Sequence, residues 1–92
     1  MISVEFGGSL TMDQGWFDKP VPIAIGIIGD IYYVMNAKQA HDVLQHHWPR
    51  QGTDKFKAAN RACLEVIAGA KSADVARLSF VEAAREAAVL AD

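Results

Sequence analysis

A chain of 92 residues has room for one domain with a small hydrophobic core, and 51% hydrophobic against 22% charged residues excludes global disorder. Nine Lys and Arg against eleven Asp and Glu leave a net charge of −2. That balance excludes attraction of the chain as a whole to nucleic acid or anionic membranes, so such binding would need a local patch.

Residues 2 to 6, ISVEF, alternate Ile2, Val4 and Phe6 with Ser3 and Glu5, the period of a half-buried strand. The following GGSLTMDQG reads as loop. Residues 1–15 are therefore an N-terminal extension or an extra strand, and residues 16–92 a single small domain. Next, KPVPIAIGIIGDIYYVM holds two β-rich runs separated by Gly29 and Asp30, a pair suited to a tight hairpin turn. A turn there pairs Ile28 with Ile31, Ile27 with Tyr32, Ile25 with Val34 and Ile23 with Asn36. Ile23, Ile25, Ile27, Tyr32 and Val34 then share a face turned toward the helices. The opposite face carries Ala24, Gly26, Ile28, Ile31, Tyr33 and Met35. Pro20 and Pro22 lack amide donors and suit an edge strand.

Three helices follow. Asn36 and Gln39 have the spacing of a capping box, opening a helix from about Ala37 to His47 with Ala40, Val43, Leu44 and His47 or Trp48 inward. Pro49 disfavours helical geometry at Trp48 and ends it. Thr53 caps a second helix through Ala68, with Phe56, Ala59, Cys63 and Val66 or Ile67 inward and Gly69 as left-handed terminator. Ser72, aided by Asp74 near the positive end of the helix dipole, caps a third helix reaching about Val89. Its inward stripe of Ala76, Phe80, Ala83, Ala84 and Ala87 favours close antiparallel packing on the second helix. The architecture expected is α+β: a β-hairpin, with or without a third N-terminal strand, packed against three α-helices.

The residues that invite chemistry carry little of it. His41, His46 and His47 are five, six and one residues apart, whereas two helical metal ligands need a spacing of three or four. His46 and His47 instead fall in a last helical turn, where ring donors satisfy terminal carbonyls. Cys63 lies mid-helix between Ala62 and Leu64, without the glycine-rich turn or helix N-terminus that activates a thiol. Glu82 and Glu86 flank Arg85 on a face of alternating charge that reads as solvated surface. No catalytic residue, metal ligand or cofactor site is assigned, and the chain is expected not to be an enzyme.

Two binding features remain. Arg50, Lys55, Lys57 and Arg61 form a local positive run against the lone Asp54, a candidate anion-binding or nucleic-acid-binding patch. The last two helices, joined through AGAKS, have the order of a helix-turn-helix, although the second offers only Arg77 and Arg85 against Asp74, Glu82 and Glu86. Ile28, Ile31, Tyr33 and Met35 form a candidate interaction surface on a two-stranded sheet that is barely stable alone. A protein partner, or a second copy of the chain, would cover that surface. The apolar stretch around Gly29 and Asp30 is too short for a spanning helix, and no secretory signal is evident. The single cysteine suits a reducing cytoplasm. The function expected is a non-enzymatic protein-interaction or regulatory binding module, with anion or nucleic-acid binding through Arg50 to Arg61 as the alternative.

The motifs PVPI at the hairpin, AKQAHDVLQHHWP, ANRACLEVIAG and ADVARLSFVEAAREAAVL, in this order and spacing, resemble domain of unknown function family 982, a family of small bacterial proteins found mainly in rhizobia and their relatives. The resemblance covers about residues 16 to 90. It implies a fold and brings no catalytic residues. Members often have a basic strand where this chain has Ile31 and Tyr32. They also often begin shortly before the region of Trp16, which raises Met12 as an alternative start.

Overall fold

The computed structural model describes residues 15–25 and 30–91. The expected strand at residues 2 to 6, Met12, and the turn residues Ile27, Ile28 and Gly29 lie outside the described residues. Strand β1 spans Trp16–Ala24 and β2 Ile31–Asn36, and helices α1 (Ala37–His46), α2 (Asp54–Ile67) and α3 (Ala73–Glu86) follow. The two strands form an antiparallel sheet backed by the helices, the α+β architecture expected from the pattern.

The register differs from the one a two-residue turn dictates. Val21 faces Val34, Ile23 faces Tyr32 and Ala24 faces Ile31, a slide of four residues. Packing overrides turn chemistry for a clear reason. The turn-led register would put Val21 opposite Lys38, already inside α1, and so strip a core residue of its strand partner. Asn36 limits β2 from below, because its side chain accepts from the Gln39 amide at 2.8 Å and starts α1. Trp16 pairs with Asn36, and an irregularity between Trp16 and Val21 takes up the slack. An even slide preserves the faces, so Ile23 and Val34 still point inward, with Val21 beside them.

The helices build the rest of the core. Trp48, rather than His47, turns inward after α1, and Val66, rather than Ile67, does so on α2. Helices α2 and α3 run antiparallel, since Lys55 at the start of one meets Glu82 near the end of the other. Between them Phe80 is fully buried, its ring 5.3 Å from that of Trp48 at 49°. Small residues permit this approach: Ala59, Ala76, Ala83 and Ala84 are all buried. Among the described residues no polar or charged side chain is buried, so the core is held by apolar contact alone. At the foot of the sheet, Gly15 accepts from the Ala37 amide at 2.9 Å, and a Cβ there would sit 2.8 Å from both the Ala37 Cβ and the Val66 Cγ1.

The third helix ends sooner than its alanine-rich pattern suggests. It stops at Glu86 because Ala88 adopts a left-handed conformation (φ 60). The Val89 amide reaches Ala84 O at 3.0 Å and the Ala88 amide Arg85 O at 3.1 Å, a Schellman closure. The chain then turns back along β1: Ala24 N donates to Val89 O at 2.7 Å, Ala91 N donates to Pro22 O at 2.9 Å, and Leu90 bridges Ile23. Val89 has thus left the helix, and its carbonyl accepts from β1. Ser72 stands at the N-cap of α3, but its side chain makes no capping bond.

Candidate interaction surface

The last contacts decide which side of the sheet stays open. Because Pro22 and Ala24 direct their backbone groups to the C-terminal segment, Val21 and Ile23 must direct theirs to Val34 and Tyr32. Alternation along β2 then aims the amides and carbonyls of Ile31, Tyr33 and Met35 away from the sheet. One of these groups is already used. The Met35 amide donates to Gln39 Oε1 at 2.9 Å, so the Gln39 side chain reaches back to the residue before the N-cap rather than to Asn36 itself. Ile31 and Tyr33 keep their edge groups directed outward.

The same residues carry the outer face. Tyr33 is 58% exposed, Ile31 44% and Met35 42%. Ile31, Tyr33 and Met35 alternate along β2 and form one exposed apolar stripe, of the kind that often marks an interaction site. No charged residue or proline interrupts Ile31–Asn36, the devices by which edge strands are normally blunted. Tyr32, on the inner face, is 44% exposed at the rim. There it lines an open groove of about 480 Å³ with Ile25, Asp30, Ile31, Asp42, Val43 and His47. Of the surface expected from sequence, Ile31, Tyr33 and Met35 stand together, and Ile28 lies outside the described residues.

The positive run is divided by helix geometry. Arg50 lies in the turn before α2, while Lys55, Lys57 and Arg61 lie on the helix, all four exposed. Lys57 and Arg61 share a face at i and i+4, and Lys55 points the other way, with its Nζ 3.3 Å from Glu82 Oε1. The Thr53 hydroxyl donates to Glu86 Oε1 at 2.7 Å while accepting from the Phe56 amide at 3.1 Å. Two carboxylates of α3 therefore close on the start of α2. Arg77, the early arginine of the last helix, is held against β1 by a 3.0 Å bond from Nε to Lys19 O, 3.8 Å from Asp18.

The histidines at the end of α1 contact Asp42 and each other. His46 Nε2 lies 3.6 Å from Asp42 Oδ1, and the rings of His46 and His47 sit 6.4 Å apart. The carbonyls at the end of α1 are met not by these rings but by Gln51, whose Nε2 donates to Leu44 O at 3.3 Å and Gln45 O at 3.4 Å. Among the described residues no group of three or more His, Cys, Asp or Glu is placed to hold a metal ion. Cys63 is fully buried, and desolvation pushes its thiol up from 9.0 to about 12, which suppresses the thiolate a nucleophile needs. Among the described residues no helix is long and apolar enough to cross a membrane.

These features define a small α+β domain that exposes apolar side chains at a strand edge and the face beside it (Ile31, Tyr33, Met35), and also on α2 and α3 (Leu64, Ile67, Val75, Leu78). The chain belongs to the DUF982 family: the family model described as protein of unknown function (DUF982) matches residues 19–91. It is similar to the NMR structure of the Agrobacterium tumefaciens protein Atu1219, a structural genomics target, with a TM-score of 0.71 and 31% identity over 88% of this chain and 80% of that one. No curated protein matches the chain.

Proposed function

We propose that the protein is a non-enzymatic interaction module that binds a protein partner through the edge of β2 and the outer face of the sheet. The observation that carries the reading is the coincidence, in Ile31 and Tyr33, of outward backbone groups with exposed apolar side chains. Strand addition uses both at once: the backbone supplies hydrogen bonds and the side chains supply specificity. The raised thiol of Cys63, and the lack among the described residues of any group of three or more His, Cys, Asp or Glu placed to hold a metal ion, support a reading without nucleophilic or metal chemistry. The free buried cysteine also fits a reducing compartment such as the cytoplasm. Anion or nucleic-acid binding through Arg50 to Arg61 has weaker support, because Glu82 and Glu86 already approach the start of α2.

The test places a photo-crosslinking residue at Tyr33 and, as a control, at Leu78, which is exposed on α3. In cells, the Tyr33 variant should yield a defined protein adduct that the Leu78 variant does not. Equal or absent labelling at the two positions refutes the reading.

A further inference from the structure

We draw no further inference here: the strongest candidate, the open groove lined by Ile25, Tyr32, Asp42, Val43 and His47 between the end of the sheet and α1, offers only the exposed carboxylates of Asp30 and Asp42, and nothing in the structure shows what would fill it.

Discussion

Two helices of this protein end in the same closure with different residues at the left-handed position, and that contrast yields a quantitative prediction. After α2, Gly69 (φ 83) donates to Val66 O at 3.0 Å and Ala70 to Glu65 O at 2.8 Å. After α3, Ala88 (φ 60) and Val89 make the equivalent bonds. Left-handed geometry costs an L-residue about 1–2 kcal/mol, because Cβ crowds the following carbonyl. Glycine escapes that cost but loses about 0.4–1 kcal/mol through its freer unfolded chain. Ala88 is exposed, so removing its methyl group forfeits no buried contact. Ala88→Gly should thus stabilise the protein by about 0.5–1 kcal/mol, raising the melting temperature by roughly 2–8 °C for a domain of this size. The mirror change, Gly69→Ala, should destabilise by a similar amount, about 0.5–1 kcal/mol. A Cβ at Gly69 would meet nothing within 4 Å, so the backbone alone is tested. Urea and thermal unfolding followed by circular dichroism measure both. If Ala88→Gly lowers stability while Gly69→Ala behaves as expected, Ala88 is not left-handed, and the turn that delivers Val89–Ala91 to β1 is misassigned.

Three further outcomes follow from the core. Gly15→Ala combines a positive φ (91) with a Cβ 2.8 Å from Ala37 and Val66, and should cost about 2–4 kcal/mol in urea unfolding; a cost below about 1 kcal/mol would contradict this packing. Phe80→Ala removes the ring that lies against Trp48 between α2 and α3 and should cost about 3–5 kcal/mol, with a change in Trp48 fluorescence; an unchanged emission spectrum would place the ring elsewhere. Cys63 should resist alkylation in the native protein at pH 8 and react only as fast as the chain unfolds. Its folded pKa, about 12, lies above the unfolded value near 9.0, so its contribution is fully present below pH 9 and is lost as pH rises toward 12. Stability should fall by about 1.4 kcal/mol per pH unit in that window from this group, and Cys63→Ala should remove the slope. An equal slope in the variant would refute the assignment.

Local chemistry was enough to determine the helices and the inward faces. Asn36 and Thr53 each accept the amide three residues ahead, Pro49 follows the end of α1, Gly69 closes α2, and the alanine stripe with Phe80 marks the α2–α3 contact. The period of two likewise separated Ile23 and Val34 from Ile31, Tyr33 and Met35, because parity survives any even slide of register. What required tertiary structure was everything set by residues distant in sequence. The register slid by four so that Val21 pairs with Val34 inside β2 rather than falling opposite α1, and α3 stopped at Glu86 because Val89–Ala91 gain hydrogen bonds from Pro22 and Ala24 more than sixty residues away. Those two decisions cover one side of the sheet and leave Ile31 and Tyr33 on the open side, so the candidate surface is written in the strand's own residues, while its exposure is decided by the C-terminus.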